Sequence, residues 1–224
     1  MDRMLYIAMT GAKQTLLAQT ANTHNLANAS TTGFLADLES FRAMPVYGPG
    51  HPTRVFAMAE RPGVDFAHGT QTATGRELDV AVNGNGWIAI EARDGSEVYT
   101  RAGDLRVDTN GFLVNGAGLR VIGNAGPISI PQSEKIDIGI DGTVSVRPLG
   151  QSPNTLSAVD RIKLVSTPNE TLTKGADGLM RPRSGEVLPL DETMRLSTAS
   201  LETSNVSAVE AMVNLITLSR QFEM

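Results

Sequence analysis

Residues 2–28 read DRMLYIAMTGAKQTLLAQTANTHNLAN, and residues 204–224 read SNVSAVEAMVNLITLSRQFEM. Both stretches carry the spacing of an amphipathic helix, whereas Arg76–Pro189 reads as short strands and glycine turns. In the first, Leu5, Met9, Ala12, Leu16 and Leu26 recur at helical steps, and polar Gln19 and Thr23 hold the same stripe, so it thins towards its end. Asp2 is a suitable N-cap. Ser30, Thr31 and Thr32 compete for backbone hydrogen bonds, and Gly33 suits a left-handed C-terminal position, so the helix is expected to stop near Asn28.

The second helix is expected to start within Ser204–Ser207, with Ser207 and Glu210 as a capping box. Val206, Val209, Val213 and Ile216 repeat at the spacing of a coiled-coil seam, and Met212 and Leu215 widen the face. A helix packed on its own domain is the plainer reading of one such stripe. Two thin stripes, one at each terminus with no other helix to pack on, favour pairing between molecules. The segment Arg220–Met224 holds no Gly, Asn or Pro stop, so the natural helix is expected to continue past Met224.

Between the ends, Phe34–Gly75 is rich in Pro and Gly and reads as an extended connector with one strand at Thr53–Met58. From Leu78 the period changes to two. Val80 and Val82, then Trp87–Glu91, suggest paired strands round Asn83-Gly84-Asn85-Gly86. Asp94-Gly95, Asn110-Gly111, Asn115-Gly116 and Asp141-Gly142 each divide β-prone runs. Such dipeptides are strong hairpin signals, because the central residues of a type I′ turn take φ > 0. Ile136–Ile140, Thr143–Arg147 and Arg161–Ser166 add strands. The expected fold is α+β. Long N- and C-terminal helices (1–34 with 201–224) pair as a coiled-coil-like assembly domain. A connector spans 35–75, and an antiparallel, mostly-β domain spans 76–200.

The chain has 24 acidic and 19 basic side chains in 224 residues, a net charge of −5, which offers no basic footprint for nucleic acid. Cysteine is absent, which excludes disulfides and thiolate metal sites. No stretch approaches the ~20 apolar residues of a membrane span, and the N-terminus lacks the pattern of a cleaved signal. His24, His51 and His68 have no second ligand at helical or strand spacing, so no metal is expected. The run Asn83–Gly86 has no helix behind it to cradle a phosphate and reads as a tight turn. Asp137, Asp141 and Asp160 form no recognisable catalytic pair, and neither a calcium loop nor a nucleophile elbow appears. Arg76, Arg101 and Arg106 with Trp87 and Tyr99 read as part of an ordinary mixed surface. No cofactor is expected.

Asn25-Leu26-Ala27-Asn28-Ala29-Ser30-Thr31-Thr32-Gly33-Phe34 resembles N-L-A-N-x-x-T-x-G-F, the signature of bacterial flagellar basal-body rod and hook proteins. Thr74–Trp87 resembles the family's T-G-R-x-L-D-V-A-x-x-G-x-G-[FW] block, and Tyr99–Gly103 its Y-T-R-x-G block. Asp141–Val144 resembles its D-G-x-[IV] turn. Leu201–Val206 and Arg220–Glu223 resemble its L-E-x-S-N-V and R-x-[FY]-E motifs. The resemblance covers nearly the whole chain. The short length excludes the hook protein, and Phe41–Val46 with Pro52–Phe56 look more like the proximal rod type than the distal one.

The resemblance implies a structural subunit of the flagellar axle. Its terminal helices form an inner tube and its β domain an outer layer. The connector after Gly33 links the two layers. The rod crosses the periplasm, transmits torque and forms part of an export channel wall. The implied partners are other rod proteins, copies of the same chain and the flagellar type III export apparatus, with export lacking a cleaved signal and without membrane insertion. Two other readings stand beside it at this point: a cell-wall-acting enzyme with a β catalytic domain, and an adaptor binding a partner through its terminal helices.

Overall fold

The computed structural model describes residues 2–45, 55–148, 150 and 156–223. The chain forms two compact units, one of Met1–Ser30, Leu35–Ala67 and Asn205–Met224, the other of Thr31–Phe34 and His68–Ser204.

The first unit holds helix α1 (Asp2–Ala27), strands β1 (Asp37–Pro45) and β2 (Val55–Val64), and helix α2 (Ala208–Glu223). Strands β1 and β2 form an antiparallel ribbon running from Asp37↔Val64 to Pro45↔Val55, with a register shift between Leu38 and Ser40. The stretch read as a connector therefore contains a hairpin, and its strand begins at Val55; Thr53 and Arg54 lie outside the described residues. Pro45 and Pro62 are tolerated there because a two-stranded ribbon leaves one side of each strand unpaired.

The expected coiled-coil-like pairing of the terminal helices is not what the structure shows, although two terminal helices and an antiparallel middle are present. Helix α1 has 26 residues and α2 only 16. They touch where Asn22 Nδ2 donates to the Ala211 carbonyl oxygen at 2.7 Å, and the buried residues of the two helices are Ala18, Ala21 and Ala211. At ~100° per residue, Leu5, Met9, Ala12 and Leu16 centre about 180° from Ala18 and Ala21. Val209, Met212, Val213 and Ile216 likewise centre about 150° from Ala211. The predicted seams thus lie on the far sides of the two helices.

Among its described residues the second unit is all β apart from one 3₁₀ turn at Asn169–Thr171. In chain order it contains β3 (Gln71–Ala73), β4 (Val80–Asn83), β5 (Gly86–Glu91), β6 (Glu97–Thr100), β7 (Arg106–Val107) and β8 (Leu113–Val114). There follow β9 (Ser133–Ile138), β10 (Thr143–Pro148), β11 (Ser157–Arg161), β12 (Leu164–Ser166), β13 (Leu172–Lys174), β14 (Met180–Pro182), β15 (Arg195–Thr198) and β16 (Ser200–Glu202). A five-stranded sheet runs β12-β5-β6-β14-β13 and a three-stranded one β11-β10-β9; the pairs β15-β4, β16-β3 and β7-β8 complete the unit. All these pairings are antiparallel. One core, with Val80, Val82, Ile88, Ile90, Leu105, Leu113, Ile162, Leu164 and Leu196 fully or almost fully buried, sits under these sheets.

Strands β4 and β5 do not pair with each other across Asn83–Gly86 as expected. Strand β4 takes β15 as its partner while β5 takes β12 and β6, so the turn switches the chain between sheets. The hairpins at Asp94-Gly95, Asn110-Gly111 and Asp141-Gly142 do form, by a different turn from the one anticipated. Only the glycine of each dipeptide has positive φ: Gly95 +81°, Gly111 +83° and Gly142 +86°. In each, the glycine N–H donates to the carbonyl three residues back, as in a type I turn closed by a left-handed glycine. At Asn115-Gly116 that left-handed position falls to Gly118 instead, whose N–H donates to Asn115 O at 2.9 Å.

Candidate assembly surfaces

Two regions carry the sequence motifs, one in each unit. In the first unit the seam residues face outward. Leu5 is 67 % exposed, Met9 64 % and Leu16 47 %; on α2, Val209 is 74 % exposed and Met212, Val213 and Ile216 are each over half exposed. Ala12, Leu26 and Val206 are half-buried, and Val206 precedes α2 rather than lying within it. Ser207 does cap the helix, its Oγ accepting from the Glu210 N–H at 3.4 Å. The result is a patch of large apolar side chains on each helix. Burying one such side chain is worth roughly 1.5–3 kcal/mol, so their exposure is a standing drive towards association.

Motif residues fix the ends of these helices. Asn25 clamps the backbone of Asp37, accepting its N–H at Oδ1 and donating Nδ2 to its carbonyl, both at 2.9 Å. His24 Nδ1 lies 3.0 Å from Asp37 Oδ2. Asn28 closes α1, its N–H and Nδ2 both donating to His24 O. Asn205 does the same for the other terminus: its Oδ1 accepts from Ala36 N–H at 2.8 Å, and its Nδ2 donates to Asp65 O and Ala67 O. Ala27 and Thr31 are exposed.

In the second unit Gly33 and Phe34 serve a different purpose from the helix stop expected of Gly33. Helix α1 ends at Ala27, and Gly33 (φ +64°) lies against the backbone of another motif. A Cβ there would fall 2.5 Å from Ala102 N and 2.6 Å from Arg101 O. The Gly33 N–H donates to Glu202 O at 2.8 Å. Phe34 is buried, with Lys174 Nζ 4.0 Å above its ring.

Sequence reasoning placed Arg101, Trp87 and Tyr99 on a mixed surface; all three are buried. Arg101 Nε and Nη2 reach Glu202 Oε2 at 2.8 and 2.7 Å, while Nη1 donates to Gly84 O and Gly86 O and Nη2 to Val82 O. The guanidinium also lies 5.7 Å from the Trp87 ring centre. Five donors in a rigid fork match this ring of acceptors, which an ammonium could not. Tyr99 donates to Glu97 Oε1 at 3.0 Å and accepts from Leu188 N–H at 2.8 Å; burial pushes its hydroxyl up to about 12. The motif blocks Y-T-R-x-G and L-E-x-S-N-V were the available signal that Arg101, Glu202 and Asn205 do more than decorate a surface.

Chemistry finds little purchase here. A cleft of about 510 Å³ is bordered by Glu91, Glu97 and Glu186 with Ile122, Pro127 and Pro182. Two of its carboxylates are engaged, Glu97 with Lys163 at 2.7 Å and Glu91 with Arg120 at 3.5 Å. Asp141 is spent on its turn, accepting from the Thr143 N–H and hydroxyl, which hold its carboxyl below the usual range. His68 Nε2 is 2.8 Å from Asn85 Oδ1, and His51 lies outside the described residues. Among the described residues no group of three or more His, Asp or Glu could hold a metal, and no helix is long and apolar enough to cross a membrane.

Known proteins are similar to this chain over nearly its whole length. A family model described as "Flagellar hook protein FlgE/F/G D1 domain" matches residues 81–146, and one described as "Flagellar basal body rod FlgEFG protein C-terminal" matches residues 197–224. The chain is 44 % identical to the flagellar basal-body rod protein FlgF of Escherichia coli (strain K12), over 100 % of the chain and 91 % of that protein. It is 43 % identical to FlgF of Salmonella typhimurium over the same shares. It is 34 % identical to the flagellar basal-body rod protein FlgG of Agrobacterium fabrum, over 99 % of the chain and 92 % of that protein. The chain belongs to the flagellar basal-body rod protein family, and within it is most like FlgF.

Proposed function

We propose that the chain builds its part of the rod by helical, head-to-tail stacking through the outward faces of α1 and α2. It is a structural subunit of the bacterial flagellar basal-body rod, not an enzyme, and it assembles with other rod proteins in the basal body. The observation that carries the stacking reading is the pair of exposed apolar faces, Leu5, Met9 and Leu16 on one helix and Val209, Met212, Val213 and Ile216 on the other. These larger side chains lie away from the buried Ala18, Ala21 and Ala211, so they are left for neighbours. A heterologous contact of this kind extends as a helix unless its rotation closes.

In this reading the subunit occupies the proximal rod, passes torque along the axle and contributes to the wall of the export channel. It reaches the periplasm through the flagellar type III apparatus without a cleaved signal. Copies of itself and adjoining rod proteins cover the two faces. Electron microscopy of isolated flagellar bases tests this. Density for the chain inside the axle, with α1 and α2 of successive subunits in contact, is the expected result. Density confined to the outside of the axle would defeat it.

A further inference from the structure

Chain crossings between the two units fall at 30/31, 34/35, 67/68 and 204/205. In the second unit, the three segments next to these crossings are joined to one residue. Glu202 O accepts from Gly33 N–H at 2.8 Å, and Glu202 Oε1 accepts from Gly69 N–H at 3.2 Å. The neighbouring Thr203 N–H donates to Thr70 O at 2.9 Å. Both glycines are needed for this approach: a Cβ on Gly69 would fall 2.8 Å from Thr203 C, and one on Gly33 would strike the backbone of Arg101 and Ala102. Arg101 therefore braces two crossings at once. Its backbone is the wall behind Gly33, and its side chain grips the carboxylate of Glu202.

We propose that Arg101 and Glu202 are a positioning clasp, which holds the segments 31–34, 68–70 and 202–204 of the β unit, where the chain crosses between units, in fixed register with one another. This rests on the rod reading, since the terminal segments are its assembly parts. The pair is almost fully buried, at 2 % and 1 % side-chain exposure. A buried ion pair contributes little net stability against apolar residues of equal volume, because desolvating both charges offsets their attraction. Its distinctive contribution is geometry. Donors crowd both oxygens of Glu202, with Arg101 on Oε2 and Gly69 N–H on Oε1, while His68 Nδ1 stands 3.9 Å from Oε1. Only a carboxylate satisfies both sides. An amide of the same shape turns its own NH₂ against one donor, so either the Arg101 grip or the Gly69 link opens.

The test compares wild type, Glu202→Gln and a control, Leu105→Ala, which weakens the fully buried core and removes a side chain that makes none of the clasp's hydrogen bonds. Amide exchange is followed on the full chain, and incorporation is scored in isolated flagellar bases. In Glu202→Gln the amides of Gly33, Gly69 and Thr203 should exchange at least about tenfold faster relative to those of Ile88–Ile90, with incorporation falling by a similar factor. Leu105→Ala should speed all of these amides together and keep incorporation. The clasp is overturned if Glu202→Gln leaves the three amides unchanged or speeds the whole β unit uniformly, or if Leu105→Ala loses incorporation as severely. Failure of the rod reading looks different: wild type is then missing from the bases, and the exchange comparison alone decides the clasp.

Discussion

Gly33 shows how one residue can carry a motif's meaning. Its φ of +64° is left-handed, and its Cα sits against the backbone of Arg101 and Ala102, where no side chain has room. Gly33→Val combines a disfavoured φ with overpacking against backbone, costing at least about 2 kcal/mol together. A lowered urea midpoint with unchanged slope is the expected measurement, together with loss of rod incorporation; a midpoint equal to wild type would remove this account of the glycine. The aspartates at the turns act through charge. Hydrogen bonds hold several carboxyls below their ordinary values, chiefly from the Thr143 hydroxyl for Asp141, the Ser96 hydroxyl for Asp94 and the Thr193 hydroxyl for Asp191. A lowered folded pKa means stability that is present above the unfolded value of about 3.9 and is lost as pH falls through the folded one. Asp141→Asn should therefore unfold at lower urea at pH 7 and lose less stability than wild type between about pH 4 and pH 2. Parallel curves for the two proteins across that range would show that the Asp141 charge contributes nothing.

Each terminal helix has two faces, and only one of them matches the leucine and valine stripe. In α1 the exposed face holds Leu16 at 47 % exposure, and in α2 it holds Val213 at 57 %. Leu16→Asp or Val213→Asp places a charge on the face that the proposed stacking would cover with a neighbour's apolar side chains. Either should abolish incorporation into the rod while leaving the circular dichroism of the isolated chain unchanged and its unfolding free energy within about 0.5 kcal/mol of wild type, as surface changes do. A motile strain carrying either substitution would exclude these faces from assembly. Helix ends, glycine turns and strand-rich middle were legible in the sequence because local chemistry sets them: Ser207 caps, Asn28 closes, and the Asp-Gly and Asn-Gly pairs turn. Partner choice was not legible. Apolar periodicity marks a sticky face without naming what covers it, so it put the leucine and valine stripes at the helix pairing, whereas the buried residues of these helices are Ala18, Ala21 and Ala211. The same gap hid the partnership of β4 with β15, and Arg101 looked like a surface residue because its acceptor, Glu202, lies 101 residues away.

At the scale of the whole molecule, the β unit and the helices differ in how they are held. The β unit has a continuous core with Val80, Ile88, Ile90, Val98, Leu105 and Leu164 fully buried. Most of the large apolar side chains of α1 and α2 are instead exposed, so these helices lack much of the tertiary packing that supplies most helix stability in proteins. In the free monomer the amides of α1 and α2 should exchange at least about a hundredfold faster than those of Ile88–Ile90, and slow once the rod forms. Strong protection of both helices before assembly would contradict this division. The topology of the β unit also sets a timetable. Strand β4 waits for β15, Thr70 waits for Thr203, 133 residues on, and Arg101 waits for Glu202. Such distant pairings are slow to close. On the proposed export route the early hairpins could form as soon as they emerge, but Arg101 would stay without its Glu202 partner until the last strand of the β unit is through.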